Sequence, residues 1–272
     1  RRHGYSRHII TGLKRTEDGI FRNGVRAWTS QAVHAGDVIE THLVETEPSD
    51  GILPRPVPFS VVYEDDDILV VDKPADTPIH PSIGNYENTL ANGIAWYFEQ
   101  KGEPFVYRCI NRLDRDTTGL IVLAKHALSA AVLSQAMRSR EIHRTYQAFA
   151  LGETAASGTI DAPIARLDGS LIQRTVDFAS GERSVTHYRT LAHCSVFSHL
   201  ELNLETGRTH QIRVHMAYIG HPLLGDTLYN KTPGTFPRQA LHSASLSFVH
   251  PITGEPLNFH APLPEDMQNL LT

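Results

Sequence analysis

Residues 110–125 of this 272-residue chain read Ile-Asn-Arg-Leu-Asp-Arg-Asp-Thr-Thr-Gly-Leu-Ile-Val-Leu-Ala-Lys, and they constrain the fold more than any other stretch. Asp114 and Asp116 stand among arginines, directly before the unbroken apolar run Leu120 to Ala124, which is typical of a core strand. Charges packed this densely beside a core are costly unless they are solvated or used in chemistry. The stretch therefore predicts either a solvated turn with a surface ion pair or a charged functional site at the end of a buried strand.

Composition indicates an ordinary globular chain, with 40% hydrophobic and 20% charged residues. No apolar run approaches the roughly 20 residues that a membrane span needs, so no membrane partner is expected. No signal peptide is visible, and because the first residue is Arg1 rather than Met we expect a trimmed start. The two cysteines, Cys109 and Cys194, suggest neither a disulfide framework nor a zinc site, and the cytoplasm is the expected compartment.

The formal net charge of −5 argues against a nucleic-acid partner, since phosphate binding favours a basic surface. The charge is unevenly distributed, however. Residues 101–145 hold eight Lys and Arg against four Asp and Glu, and residues 1–45 hold seven against five. The acidic excess includes residues 45–50 and 64–67. A basic face on an acidic body is compatible with RNA binding.

Residues 46–60 carry four prolines and neither a helical nor a strand period. Such a segment is extended and stiff, which predicts a linker between a small N-terminal module, residues 1–45, and a main domain, residues 61–272. Within the module, Arg22-Asn23-Gly24-Val25 is a tight-turn signal between short β-type runs, and residues 34–44 give a Gly-Asp turn followed by an alternating strand.

Hydrophobic periodicity in the main domain predicts more strands than helices. The predicted strands are residues 60–64, 67–72, 146–151, 183–190, 197–204 and 243–248, and the predicted helices are residues 87–100, 127–140 and 214–218. This order predicts an α+β fold with a mixed, mostly antiparallel central sheet and flanking helices.

Three further blocks accompany the first stretch: residues 71–81, the Arg-Thr-Tyr-Gln-Ala of residues 144–148, and residues 205–215, which lead into residues 220–229. In this order and at these spacings, the four blocks resemble the RluA/RluD family of RNA pseudouridine synthases over roughly residues 58 to 266. The resemblance implies the pseudouridine synthase fold. The N-terminal hairpin resembles part of the α-L RNA-binding domain often fused to these enzymes, although a purely structural hairpin explains it almost as well.

The family's reaction breaks the bond between N1 of uracil and C1′ of ribose and rejoins the same base through its C5 atom. Because this isomerisation is redox-neutral, we expect neither a cofactor nor a metal. The sequence agrees, since it contains no dinucleotide fingerprint, phosphate loop or His-Glu-x-x-His motif. The implied partner is ribosomal or transfer RNA, and a monomer is the default expectation.

The resemblance implies that Asp114 is the catalytic aspartate, either attacking C1′ or removing a sugar proton, and that Tyr146 is the active-site tyrosine. We expect Arg213 to pair with Asp114 and hold it ionised. A half-buried strand tyrosine and a structural ion pair are the corresponding structural explanations. The predicted RNA contacts are Arg112, Arg115, Arg208, His210 and Lys73, and the predicted pocket floor is Ile212 and Leu228.

Several neighbouring residues are interpreted structurally. Asp116 is predicted to stabilise its turn, with Thr117 and Thr118 bonding local backbone, and Asp226 to cap a turn near the pocket. His210 and the histidine five positions on lack a third ligand, so no metal site is predicted there.

Two residues depart from the family pattern: Asn111 stands where these enzymes usually carry His, and Thr118 where Ser is usual. Neither change removes a catalytic group. Two alternatives to the synthase stay open: a non-catalytic RNA-binding or ribosome-assembly factor on the same scaffold, and a glycosidase that uses Asp114 and Asp116 as a carboxylate pair.

Overall fold

The structure, a computed structural model, describes residues 4–43 and 48–271. Residues 4–43 contain the elements α1 (Arg7–Arg15), β1 (Ile20–Arg22), β2 (Val25–Arg26) and β3 (Ile39–Thr41). The predicted tight turn is confirmed, because Asn23 and Gly24 adopt φ of 52° and 76° between the antiparallel strands β1 and β2. Of the strand predicted within residues 34–44, only β3 forms, and residue 44 lies outside the described residues.

Helices and strands of the rest of the chain follow in a mixed order. The helices are α2 (Leu90–Lys101), α3 (Ala127–Arg138), α4 (Gln211–Tyr218) and α5 (Glu265–Gln268). The strands are β4 (Ser60–Glu64), β5 (Ile68–Lys73), β6 (Thr118–Ala124), β7 (His143–Leu151), β8 (Ser157–Asp161), β9 (Ile164–Arg166), β10 (Arg174–Val176), β11 (Val185–His193), β12 (Phe197–Leu204), β13 (Leu241–Val249) and β14 (Pro256–His260). Every predicted element is present, with each end within three residues of the prediction.

Within the described residues, nine strands form one sheet in the order β4-β5-β6-β13-β7-β12-β11-β8, with β14 paired to β13. Neighbouring strands are antiparallel except β6 and β13, which run parallel. A separate hairpin joins β9 to β10. The predicted α+β fold with a mixed, mostly antiparallel sheet is therefore confirmed.

The core lies on both faces of this sheet. Successive side chains of a strand point to opposite faces, so Leu69 and Ile121 pack in one apolar cluster with Ile94 of α2, while Val70 and Val122 pack in another, which also holds Leu133 of α3. All of β6 is buried. The strand β6, which directly follows the charged residues of its own stretch, is therefore at the centre of the molecule and anchors those residues.

The N-terminal module and the proline-rich segment both contact this body. Ile9 and Leu13 of α1 share an apolar cluster with Leu128 of α3. Along α2, the side-chain amide of Asn92 donates to the carbonyl of Leu53 at 2.8 Å. The proline-rich segment is thus attached to α2 where it is described; residues 46 and 47 of the predicted linker lie outside the described residues.

Gly119 marks the place where β6 meets β13. It adopts φ of +111° and lies opposite Ser243 in the parallel pair. A Cβ atom at residue 119 would overlap the backbone of Ser243, coming within 2.6 Å of its nitrogen. Only glycine permits this close approach between β6 and β13. The approach places the charged loop that precedes β6 next to the start of β13.

We predict that Gly119→Ala destabilises the protein far more than Gly102→Ala does. Gly102 also has positive φ, +71°, but a Cβ there meets open space, so its variant reports the backbone cost alone, about 1–2 kcal/mol. The overlap with Ser243 should add at least about 2 kcal/mol to the loss in Gly119→Ala. Urea unfolding of both variants measures this difference, and equal losses would contradict the steric explanation.

Candidate active site

A cavity of about 810 Å³ opens where the loop before β6, the start of β7 and the loop before α4 come together. A narrower cleft continues from it towards the N-terminus of α4. Asp114 and Tyr146 line both, and Ile212 lines the cleft. The three blocks that contain Asp114, Tyr146 and Arg213 therefore meet at one place in the fold.

The Asp114 carboxylate is held by an arginine 99 positions away in the chain. Nη1 of Arg213 donates to Oδ2 of Asp114 at 2.9 Å, and the Asp114 side chain is 24% exposed. The Asp114 carbonyl accepts the N–H of Thr117 at 3.1 Å, which closes the loop behind it. The predicted contact between Arg213 and Asp114 is thus present, and it leaves the carboxylate accessible from the cavity.

Arg213 is itself aimed by a second carboxylate. Its Nε and Nη2 donate to the two oxygens of the fully buried Asp226 at 2.7 and 2.9 Å. Burial disfavours the charged guanidinium, but the bonds and charges of Asp226 and Asp114 outweigh it and raise the pKa of Arg213. A forked pair of this kind fixes the guanidinium plane, so the remaining nitrogen can point only at Asp114.

Asp226 also caps its own turn, as predicted, by accepting the N–H groups of Leu228 and Tyr229. Its role as the buried partner of Arg213 was missed, because nothing in the local sequence Gly-Asp-Thr-Leu-Tyr indicates what lies across the turn. Leu228 lies outside both cavities, and its carbonyl accepts a bond from Gln173. The prediction that Leu228 floors the pocket is therefore wrong: bonds to Asp226 and Gln173 hold its backbone in the turn, and the residue lines neither cavity.

Tyr146 is buried on β7, with Leu202 and Ser243 opposite it on the two neighbouring strands. The residue therefore lies between two paired strands, and its buried side chain belongs to the apolar core while it lines the cavity. An aromatic ring in this position can stack on a base, which is the use that the prediction assigned to it.

His210 lies beside Asp114 rather than on the outer surface. Its side chain is 11% exposed, and its Nε2 is 3.9 Å from Oδ1 of Asp114. On the other side of the ring, Nδ1 bonds the hydroxyl of Tyr229 at 2.7 Å. Burial lowers the pKa of His210, with the charge of Asp114 opposing and that of Arg213 adding to the shift. The ring is therefore neutral at neutral pH.

Arginines dominate the wall of the large cavity. The lining guanidiniums are those of Arg112, Arg115, Arg138, Arg140, Arg144 and Arg208, against the carboxylates of Asp114 and Glu205. Two of these arginines form ion pairs with carboxylates that do not line the cavity: Arg208 pairs with Glu182, and Arg115 pairs with Asp76. Nε of Arg144 is buried without a partner among the described residues. The local basic excess read from the sequence is thus concentrated around one opening.

Lys73 does not face this opening, and its predicted contact with RNA is wrong. The side chain is fully buried, and Nζ donates to the carbonyls of Pro74, Thr77 and Arg115 at 2.7, 2.9 and 2.7 Å. These three bonds use all the protons of the ammonium group, so Lys73 ties its own loop to the loop of Asp114. Burial lowers the pKa of Lys73 to about 7, although the charges of Asp116 and Asp114 oppose the shift.

The polar residues next to Asp114 are structural, but not as predicted. Asp116 accepts the N–H of Asp76 at 3.2 Å and does not line the cavity. The Thr118 hydroxyl bonds His242 at 2.8 Å, and Thr117 accepts a bond from Gln239. The prediction of local backbone bonds for the two threonines is wrong, because the fold brings β13 and the segment before it within reach.

Asn111, where the family usually has His, clamps β6. Its side-chain amide donates to the carbonyl of Leu120 at 3.1 Å and its oxygen accepts the N–H of Val122 at 2.9 Å. The residue is buried and makes the donor and acceptor bonds that the sequence suggested.

Two histidines of the described residues, His215 and His250, lie in surroundings that do not suit a metal ion. His215 bonds Thr186 and the carbonyl of Ala162 in the core, so it forms no pair with His210. Asp65, Asp67 and His250 form a group with suitable spacing. In that group, however, Nδ1 of His250 accepts two backbone N–H groups, which leaves the ring proton on Nε2, facing Asp65 at 2.9 Å. A protonated nitrogen has no lone pair for a metal.

Comparison with known proteins agrees with this geometry. Residues 67–218 match the RNA pseudouridylate synthase family. The chain is 40% identical over 269 residues to a Bacillus subtilis protein described as the uncharacterized RNA pseudouridine synthase YjbO, covering 98% of this chain and 95% of that one. It is 43% identical to the ribosomal large subunit pseudouridine synthase D of Vibrio cholerae over 86% of this chain and 76% of that one.

Among solved structures, human RNA pseudouridylate synthase domain containing 1 matches with a TM-score of 0.63 and 26% identity, over 80% of this chain and 86% of that one. A second human protein of the same description, domain containing 4, matches in fold with a TM-score of 0.62. In the described part of the chain, no helix has the length and apolar character to cross a bilayer.

We predict that Lys73→Met destabilises the protein and that the deficit grows with pH. The unfolded chain keeps this lysine protonated up to its ordinary pKa of 10.5, whereas the folded protein releases the proton near pH 7. Between these values the unfolded state binds more protons, so the lysine favours folding increasingly as pH rises, by at most about 1.4 kcal/mol per pH unit. Urea unfolding of both proteins near pH 6 and near pH 9 measures the deficit; a deficit that shrinks at the higher pH contradicts the assignment.

Proposed function

Since the chain belongs to the RNA pseudouridylate synthase family and is an RNA pseudouridine synthase, we propose that it isomerises specific uridines of large-subunit ribosomal RNA and that Asp114 is its catalytic carboxylate. The observation that carries the assignment of Asp114 is the buried Asp226–Arg213 fork, whose remaining nitrogen is directed at an accessible carboxylate. The RNA class is supported by the name of the Vibrio cholerae relative.

The reaction conserves atoms. The N1–C1′ bond breaks, the detached uracil turns, C5 bonds to C1′, the C5 hydrogen leaves as a proton, and N1 gains a proton. In this proposal Asp114 either attacks C1′ or removes a sugar proton. Arg213 supports both roles, because a guanidinium bonded to Oδ2 holds the carboxylate in one orientation at the cavity.

Binding requires that the target nucleotide leave its helix and enter the cavity. A space of about 810 Å³ is large enough for a nucleotide, and Tyr146 offers a fixed aromatic face within it. The arginines around the opening supply the positive charge that RNA phosphates need. Arg112, Arg115 and Arg208 keep their proposed roles as RNA contacts, while Lys73 is withdrawn from that set.

Neither alternative function has an observation in its favour. A pure RNA-binding factor has no use for a buried guanidinium aimed at a partly buried, accessible carboxylate, which is a costly arrangement. A glycosidase pair needs two acids facing one substrate, whereas Asp116 bonds the backbone of Asp76 away from the cavity.

The proposal includes a division of the chain into a module, residues 1–45, a proline-rich connection, residues 46–60, and a catalytic domain, residues 61–272. In its support, the family match and the side chains of the site fall within the third part. We also propose a monomer that works without a metal in the cytoplasm, where the two unpaired cysteines would stay reduced.

The first test is the conversion of uridine to pseudouridine in large-subunit ribosomal RNA from a strain that lacks the enzyme. Asp114→Asn should lose at least about a thousandfold in rate. It should keep its RNA affinity within about threefold, because the amide preserves shape. Asp116→Asn is the matched control and should react like the unmodified protein. Conversion by Asp114→Asn at the full rate would disprove the role of Asp114, and an equal loss in Asp116→Asn would favour a carboxylate pair.

The second test concerns the arginine-lined opening. If Arg208 contacts a phosphate, Arg208→Gln should lower the slope of log affinity against log salt by about 0.7–0.9, the loss of one phosphate contact. Arg189→Gln is the control, because Arg189 is also exposed and paired with a glutamate, Glu201, but lies outside the cavity. Filter binding across a salt series measures both slopes. Equal slopes for the two variants would place the RNA elsewhere.

A further inference from the structure

His210 is held in a single tautomer by its neighbours. The Tyr229 hydroxyl accepts the backbone N–H of Arg174 at 2.8 Å, which leaves its own proton to point at Nδ1 of His210, 2.7 Å away. Burial raises the pKa of Tyr229, so that proton is present at neutral pH. A ring nitrogen that accepts a bond carries no proton, so the neutral imidazole of His210 carries its proton on Nε2.

The protonated nitrogen faces the place where the reaction occurs. Nε2 lies 3.9 Å from Oδ1 of Asp114, which is beyond hydrogen-bonding distance. The N–H group and the carboxylate therefore stand side by side at the cleft, and one bound nucleotide can meet both.

The backbone and the surrounding rings hold this orientation. His210 adopts φ of +58° and ψ of 19°, left-handed values that are uncommon for a residue other than glycine. Its ring packs edge-on against Tyr229 at 5.6 Å between centroids, and the guanidinium of Arg213 lies over the Tyr229 ring at 5.1 Å. The fork that aims Arg213 and the tyrosine that orients His210 thus form one rigid cluster.

We propose that His210 is a further catalytic residue, which donates a hydrogen bond from Nε2 to the uracil ring while that ring is detached from C1′, and that Tyr229 is the positioning residue that fixes the tautomer. This inference rests on the proposed function. It moves His210 from the set of outer RNA contacts to the chemistry itself.

The charge states suit this role. When the N1–C1′ bond breaks, its electron pair stays with the uracil, which becomes an anion with charge on N1 and the carbonyl oxygens. A neutral imidazole stabilises such charge by donating a hydrogen bond, but it is too weak an acid to give up its proton. The uracil ring is therefore not protonated by the imidazole and keeps the electrons that form the C5–C1′ bond. Burial keeps His210 neutral against the charge of Asp114, while Arg213 and Arg174 favour the same state.

The test is a single-turnover rate at saturating enzyme, measured for four variants. His210→Leu, which lacks a donor, should lose about a hundredfold or more, and His210→Gln, which retains an N–H donor, should recover most of that loss. Tyr229→Phe should slow the otherwise unmodified enzyme about tenfold but add almost nothing in the His210→Leu background, because Tyr229 acts through His210. RNA affinity should stay within about threefold throughout.

Several results would overturn the inference: a normal rate in His210→Leu, an effect on RNA affinity alone, no recovery in His210→Gln, or an equal cost of Tyr229→Phe in both backgrounds. Nitrogen NMR of the histidine rings adds a direct readout, with the His210 signals identified by their loss in His210→Gln. A proton on Nε2 is expected, and a proton on Nδ1 overturns the assignment. Failure of the unmodified protein to form any pseudouridine would instead reject the proposed function.

Discussion

The site depends on one guanidinium shared by two carboxylates. Arg213 is forked to the fully buried Asp226 and uses its remaining nitrogen for Asp114. The buried half of this arrangement keeps the arginine charged and immobile, and the accessible half presents a carboxylate to the cavity. Removing a buried partner from such a pair is costly, since an uncompensated charge is left behind. The same contact therefore stabilises the fold between α4 and the loop before β6 and holds the Asp114 carboxylate at the cavity, as its proposed catalytic role requires.

The loop that carries Asp114 is fixed from behind as well. Lys73 donates to the carbonyls of both its own loop and Arg115, and Asp116 accepts the N–H of Asp76. Gly119 then allows β6 to approach β13. Together these contacts leave the loop of Asp114 little freedom, and the proposed catalytic role requires such a fixed position. The dense charges of residues 110–125 are thus divided between a few structural bonds and the one carboxylate that is accessible from the cavity, Asp114.

Sequence patterns gave the regular elements of the main domain well, because the apolar periods of β5, β6, α2 and α3 reflect burial on two faces of one sheet. They failed where a side chain's environment is set by distant segments. Lys73 was expected to contact phosphate from a polar loop, but its side chain is fully buried. Leu228 was expected to floor the pocket, but it lines neither cavity. Tyr229 and Asp226 went unassigned as site residues, since the fold alone brings them against His210 and Arg213, which lie 19 and 13 positions earlier in the chain.

The sequence by itself determined the family and the α+β class, and it predicted the contact between Arg213 and Asp114, because motif order and apolar periodicity are properties of a linear chain. Only the tertiary structure decided that Asp226 aims Arg213, that Lys73 is buried, and that the His210 ring lies between Asp114 and Tyr229. The physical reason is that hydrogen-bond direction and burial depend on atoms contributed by segments far apart in sequence, and the parallel contact of β6 with β13 and the turn before α4 bring those segments together.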